Sequence, residues 1–293
     1  MSKSKVVVVT GVSSGIGRAA AMKFAEQGCR VFGTVRNTAK AHAIPNVTLV
    51  EMDIRDEMSV ESGIQTIIAQ AQRIDVLVNS AGVTLLGAAE ETSVEEAQKL
   101  FDTNLFGVLR VIKAVLPHMR GQRSGRIVNV SSVLGFLPAP YMALYSASKH
   151  AVEGLAETLD HEVRQFGIRV SLVEPSFTKT NLDLNAPQTV ARIADYSKEL
   201  DVVSQAIQSN VQKAPPPQGV ADTIVRAALG TWKMRHTPKG EASMLAKLRR
   251  FMPAGPVERM VAVSQQLAAV RSSNDLKEGV AAYKEKRKPN FRA

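Results

Sequence analysis

Val6-Val7-Val8-Val9-Thr10-Gly11-Val12-Ser13-Ser14-Gly15-Ile16-Gly17 is the stretch whose reading decides how this chain folds. Four valines and a threonine make a β-branched run with no polar alternation, the pattern of a strand buried on both faces of a parallel sheet. Three glycines then turn the chain, and Ile16, Ala20 and Phe24 follow at helical spacing until Gly28 stops the helix. A strand that enters a helix through a glycine turn lets a ligand approach the backbone. It also presents unpaired N–H groups at the helix start, which suits a phosphate. The spacing here is Gly-x-x-x-Gly-x-Gly.

Outward from this unit the same rhythm repeats. Residues 30–35, 47–52, 75–79, 126–131 and 169–174 read as strands, and 60–72, 93–119 and 145–166 as helices. Repeated β-then-α units predict an α/β fold, a doubly wound parallel sheet with helices on both sides and right-handed crossovers. The rhythm stops after Pro175. Residues 176–218 are polar and carry Pro187 and Pro215-Pro216-Pro217, so they read as an excursion outside the sheet with one or two helices. Helical spacing returns at 219–229, and 232–236 suits a short last strand. From Glu241, Leu245, Leu248 and Phe251 stand beside Lys247, Arg249 and Arg250, a basic amphipathic helix. The expected organisation is one domain over 1–240, within which 181–217 cover the substrate, and a basic helical extension over 241–293.

Composition narrows the function classes. The 293 residues are 45% apolar, which excludes global disorder. Residues 1–230 hold 23 Lys+Arg and 22 Asp+Glu, whereas 231–293 hold 14 and 5, so nearly all of the net +10 lies in the last fifth. A neutral body with 5% aromatics is a poor nucleic-acid surface, and no nucleic-acid partner is expected. A tail helix packed on the body with its charges in water accounts for the basic end; contact with an anionic membrane surface is the alternative. The single cysteine, Cys29, excludes an intrachain disulfide and points to a reducing compartment, the cytoplasm. No apolar run approaches the ~18 residues of a membrane span, and the valine run after the first lysines reads as a strand rather than a signal-peptide core. His42, His118, His150, His161 and His236 show no paired ligand spacing with cysteine or acids, so no metal site is expected.

Two further segments make the pattern specific: Asn79-Ser80-Ala81-Gly82 after the fourth strand, and Tyr145-Ser146-Ala147-Ser148-Lys149 opening a helix. With the glycine turn, and in this order, they resemble the short-chain dehydrogenase/reductase family over about residues 5–180. The resemblance implies a Rossmann-like fold, a nicotinamide dinucleotide cofactor, and a homodimer or homotetramer packed through the helices at 93–119 and 145–166. Two positions differ from the family's usual pattern: Ser80 stands where asparagine is common, and Ser176 where glycine usually follows the proline. The region after the fifth strand is similar to the branch containing hydroxysteroid and retinol dehydrogenases.

The cofactor contacts that the resemblance implies are Gly11, Ser13, Ser14, Gly15, Ile16 and Gly17 in the turn, with Asp53 and Ile54 bordering the adenine. Asn79, Ala81 and Gly82 would lie beside the ribose. Tyr145, Lys149, Pro175, Thr178 and Thr180 would stand around the nicotinamide. The second strand ends Phe32-Gly33-Thr34-Val35-Arg36-Asn37, with no acid to accept hydrogen bonds from a ribose 2′-hydroxyl. Arg36 can fork onto a 2′-phosphate and Ser14 can donate a hydroxyl to it, so NADP(H) is expected ahead of NAD(H).

Tyr145 and Lys149 lie four residues apart on one helix face. A phenol, with a pKa of about 10, is a poor base near neutrality, and an adjacent ammonium favours phenolate. Such a tyrosine can give a proton to a carbonyl oxygen or take one from an alcohol. Ser132 follows a strand end, where open α/β sheets bind ligands, and precedes Tyr145 by 13 residues; its hydroxyl would hold the substrate oxygen, leaving Ser131 a capping or structural role. By resemblance, Asn104 is the helix asparagine that positions a water near the lysine. Asn104, Ser132, Tyr145 and Lys149 thus form the expected catalytic set. Val133, Leu134, Phe136, Leu137, Tyr141 and Met142 around it suggest an apolar substrate. The leading expectation is an NADP(H)-dependent reductase of a ketone or aldehyde, reversible with the matching alcohol. An NAD(H)-dependent alcohol dehydrogenase and a non-catalytic nicotinamide-nucleotide-binding interaction protein are the alternatives.

Overall fold

The computed structural model describes residues 4–180, 182, 187 and 189–251. The valine run becomes β1 (Val6–Thr10), buried at all five positions. It is flanked by β2 (Arg30–Val35), β3 (Val47–Glu51), β4 (Val76–Asn79), β5 (Gly125–Val130), β6 (Ile168–Val173) and β7 (Arg235–His236). The order is β3-β2-β1-β4-β5-β6-β7 and every pairing is parallel. The chain winds outward from β1 to β3, returns to lay β4 against the other side of β1, and winds out again to β7. That reversal between β1 and β4 opens a crevice at the strands' carboxyl ends, where this class of sheet binds ligands.

Successive side chains point to opposite faces, so the unbroken valine run feeds both. Val6 and Val8 pack with Phe32, Leu77 and Ile127 beneath α2 (Glu57–Ala71), α4 (Val108–Gln122) and α5 (Ala143–Val163). Val7 and Val9 pack with Val31, Val78 and Val128 beneath α1 (Gly15–Glu26) and α7 (Gln218–Leu229). Burying each such side chain contributes about 1.5–3 kcal/mol. This is a Rossmann-like, doubly wound α/β sheet, as the β-branched runs predict.

One expectation needs adjusting. The helix read over 93–119 is interrupted: α3 (Val94–Phe101), started by a Ser93–Glu96 capping box, passes through a π-helical turn at Asp102–Gly107 into α4. At that turn Gly107 lies so close to Ile54 that a Cβ would meet Ile54 Cδ1 at 2.8 Å. The segment after Pro175 contains α6 (Ala194–Lys213), and the tail begins with α8 (Glu241–Phe251). Ala242 of α8 is buried with Val133 and Leu137, and Arg249 donates to the Phe136 carbonyl at 3.3 Å. The rest of the basic extension, and Leu248 as a side chain, lie outside the described residues. Among the described residues no helix is long and apolar enough to cross a membrane.

Candidate active site

The β1–α1 turn forms one end of the crevice. Thr10 Oγ1 accepts the N–H groups of Ser80 and Ala81, at 3.0 and 3.1 Å, and so ties the ends of β1 and β4 together. A Cβ on Gly11 (φ +72°) would stand 2.7 Å from Ala81 Cα, and one on Gly17 would stand 2.4 Å from the Gly11 carbonyl oxygen. These two glycines therefore serve the turn's own close packing, and both also line the cavity. A Cβ on Gly15 (φ +59°) would lie 3.3 Å from Thr180 Cγ2. Ser14 is the N-cap of α1, its side chain makes no capping bond, and the first turn carries no acid. A helix start with free N–H groups, a spare hydroxyl and no competing carboxylate fits a phosphate.

Arg36 stands exposed just beyond β2 and makes no hydrogen bond among the described residues. Asp53 is held by Arg55 through two charge-assisted bonds at 3.0 and 2.6 Å, which keep its carboxyl below the usual range; Arg36 adds to this more weakly. With Asp53 already neutralised by Arg55, the exposed Arg36 leaves this corner positive, which fits a 2′-phosphate. Asp53, Ile54, Ala81 and Gly82 lie on the cavity wall, but Asn79 does not. The Asn79 amide donates to Asn129 Oδ1 at 2.8 Å, fully buried, and cross-links β4 to β5 behind the wall. Pro175, Thr178 and Thr180 line the wall, where Thr178 Oγ1 donates to the Ser176 carbonyl at 3.0 Å. Ser176 has no positive φ, so the serine fits where the family usually has glycine.

Of the four residues expected to handle the proton, Ser132, Tyr145 and Lys149 line this cavity. Lys149 is buried on α5; its Nζ donates to the Val130 carbonyl at 3.1 Å and lies 5.7 Å from the centre of the Tyr145 ring. Burial pulls its pKa down to about 8, with Glu153 opposing. Ser132 also lines the cavity, and its Oγ accepts the Leu134 N–H at 3.1 Å. The capping role expected of Ser131 thus falls to Ser132, while the Ser131 hydroxyl is buried without a partner. Asn104 sits in the π-helical turn, behind the wall. Its Oδ1 accepts the Val83 N–H, and its amide donates to the Val83 carbonyl and to Ser148 Oγ, at 2.9 to 3.0 Å. A Cβ on Gly82 would lie 3.3 Å from Asn104 Oδ1 and 3.8 Å from Lys149 Nζ, so both groups flank Gly82. The Asn104 side chain is a brace between this loop and α5.

Glycine turn and proton-handling residues share one cavity of about 1230 Å³. Its far end is lined by Leu134, Leu137, Tyr141, Met142 and Phe177, and by Val202, Val203, Ala206 and Ile207 of α6. Leu245 of α8 closes it, with Lys198, Glu199, Asn210 and Glu241 as its polar groups. Residues 181–217, expected to cover the substrate, thus contribute a helical wall, and Leu200, Val203, Ile207 and Val211 carry the helical spacing that places that helix. Phe136, expected at the site, is absent from the cavity lining and packs instead against the Val133, Leu137 and Ala242 cluster. Tyr141 adopts φ +58°, a costly conformation for an aromatic residue, and donates its hydroxyl to Glu199 at 3.0 Å. Burial and that carboxylate push its phenol up to about 12. No cluster of His, Cys, Asp or Glu among the described residues could hold a metal.

Residues 5–191 match the short chain dehydrogenase family. A 3-ketodihydrosphingosine reductase of Bacteroides thetaiotaomicron is 40% identical over 195 residues, 66% of this chain and 72% of that protein. Retinol dehydrogenase 8 of Bos taurus is 34% identical over 275 residues, 86% of each chain. A solved short-chain dehydrogenase from Streptomyces avermitilis superposes with a TM-score of 0.77 at 32% identity, covering 91% of this chain and 99% of that one. Other solved proteins of the same fold hold NADP or NAD. The crevice at the strand reversal, the glycine turn beside it and the match over more than half of the sequence agree: the chain belongs to the short-chain dehydrogenase family.

Proposed function

We propose that this protein is an NADP(H)-dependent oxidoreductase that reduces an apolar ketone or aldehyde, or oxidises the matching alcohol, with Tyr145 as general acid and base. The observation that carries the reading is the buried Lys149 beside Tyr145, in the same cavity as a helix N-terminus suited to phosphate. When bound, the nicotinamide supplies or accepts the hydride. Everything else falls to the chain. The hydroxyl of Ser132 orients the substrate oxygen, and Tyr145 Oη gives it a proton in reduction or takes one in oxidation. The Lys149 ammonium makes phenolate accessible, and Asn104 braces the loop beside it. Gly11 to Gly17 and Arg36 hold the dinucleotide, with Arg36 and Ser14 on the 2′-phosphate. The apolar wall of α6 and α8 supports a hydrophobic substrate, in keeping with the names of the two curated relatives. In this reading 1–240 form the catalytic domain of a cytoplasmic homodimer or homotetramer, and 241–293 extend it.

The test is NADPH and NADH consumption across apolar ketones and aldehydes from short aliphatic to steroid-sized. Tyr145→Phe is expected to lose about two to four orders of magnitude in turnover while keeping NADPH binding. Equal affinity for NADH and NADPH would overturn the cofactor preference. Full activity of the phenylalanine variant would overturn the role of Tyr145.

A further inference from the structure

Directly behind the catalytic pair lies a second cluster of ionisable groups that the proposed chemistry does not use. Glu153 stands on α5 one turn beyond Lys149, and Glu174 follows β6 immediately before Pro175. Both carboxyl groups bond to the same nitrogen, Nη1 of Arg235 on β7, while Nη2 of Arg235 donates to Glu157 at 2.8 Å. Glu153 and Glu174 are 4% and 2% exposed, so water does not screen them from each other. They lie within hydrogen-bonding reach of one another, yet Glu153 Oε1 has no donor. Two buried carboxylates facing one guanidinium repel each other, and a proton on either turns that contact into a hydrogen bond. The partnerless hydroxyl of Ser131 crowds the same point: a Cβ on Gly135 would meet Ser131 Oγ at 2.6 Å and Glu153 Oε1 at 2.7 Å.

We propose that Glu153 and Glu174 share one proton and act with Arg235 as positioning residues, whose charge sets the protonation of Lys149 one helical turn away. The proposal rests on Tyr145 and Lys149 being the proton-handling pair. The groups facing the acids are Arg235 from β7, Lys149 and Glu157 from α5, and the hydroxyl of Ser131 after β5. His236, the next residue on β7, is influenced instead by Lys233, Arg126 and Arg226. Burial and the neighbouring Glu153 push the Glu174 carboxyl up to about 7, and Glu153 raises Lys149 against its own burial. Ionisation of the shared pair therefore adds negative charge near Lys149 as pH rises past neutrality, which prolongs the ammonium form into the range where Tyr145 works. The same network ties the Glu174–Pro175 segment to α5, so it also fixes the strand end that carries the cavity wall.

The experiment combines infrared spectroscopy of the carboxyl region with lysine-selective ¹³C NMR on the full chain, for wild type, Glu153→Gln and Glu174→Gln. A protonated-carboxyl band is expected in wild type at pH 6, fading by pH 9 and missing from both variants. The Lys149 resonance, identified by its loss in Lys149→Arg, is expected to titrate about one pH unit lower in Glu153→Gln than in wild type. The alkaline limb of carbonyl reduction should move with it. Absence of the band from wild type at pH 6, or an unmoved Lys149 titration, would overturn the proposal. The wild-type band needs no variant to fold, and neither spectroscopic reading needs turnover. A protein that reduces no carbonyl would thus defeat the functional reading while these spectra still decide the shared proton.

Discussion

A buried ammonium is destabilising, and in the proposed function the group that bears this cost, Lys149, is one the chemistry needs. The folded pKa of about 8 lies below the unfolded value of 10.5, so between them the unfolded chain holds a proton that the folded chain has released. This group therefore opposes folding fully below pH 8, and stability rises with pH through the window from about 8 to 10.5. The difference amounts to about 3 kcal/mol, an upper bound for what an apolar replacement recovers because Val130 would lose its donor. Lys149→Met is accordingly expected to raise the thermal midpoint at pH 7 and to flatten its rise between pH 8 and 10, while turnover disappears. Calorimetry across that range checks both. Gly135 offers the opposite case. A methyl group there must displace Ser131 Oγ or the Glu153 carboxyl, so Gly135→Ala should cost about 1–3 kcal/mol in urea unfolding despite being chemically mild.

Among the elements, α6 decides what the cavity accepts. Val202, Val203, Ala206 and Ile207 turn toward it, while Leu200, Ile207 and Val211 anchor the helix on Leu85, Leu86 and Leu100. Ala206 is the smallest of these wall residues, so Ala206→Phe fills space without removing an anchor. Its expected effect is a KM about ten-fold higher for steroid-sized carbonyls and little changed for short aliphatic ones, read from the panel used to test turnover. Why the strands and the glycine turn were legible residue by residue, and α6 only as a covering segment without helix bounds, follows from how each is buried. A strand covered on both faces must be apolar throughout, so Val6–Thr10 announces itself within five residues. A helix that lines a cavity shares its apolar face with a substrate, and α6 dilutes its pattern with Lys198, Glu199 and Asn210. The π-helical turn left no local mark either, and the residue that Gly107 packs against there, Ile54, lies 53 residues earlier in the chain. Tyr145, Lys149 and Ser132 were readable from spacing. Glu153, Glu174 and Arg235 come from α5, β6 and β7 and meet only once the sheet is assembled.

Across the whole molecule, the two ends of the cavity draw on different parts of the chain. The end proposed for the dinucleotide comes from residues 11–17, 34–36, 52–55 and 80–82, around β1, β2 and β4, where the sheet reverses direction. The substrate end comes from 133–142, α6 and α8, and α8 follows the last strand of the sheet. Among the described residues the last strand of the sheet ends at His236, so α8 adds closure to the cavity rather than a strand to the sheet. Ala242 is buried with Val133 and Leu137, Leu245 packs against that cluster, and Glu241 and Leu245 line the cavity directly. The charge distribution agrees with that division. Residues 1–230 are close to neutral, whereas the positive excess begins at 231, so the end that closes over the substrate is also the basic one. Ending the chain at Gly240 is therefore expected to leave NADPH affinity unchanged within error while raising KM for apolar carbonyls several-fold. The loss of three small apolar contacts corresponds to about 1–2 kcal/mol, a fall of a few degrees in the thermal midpoint. Isothermal titration with NADPH beside steady-state kinetics separates the two effects. A truncated chain that loses cofactor and substrate together would mean that α8 supports the whole fold, and the division of the cavity between the two parts of the chain would be wrong.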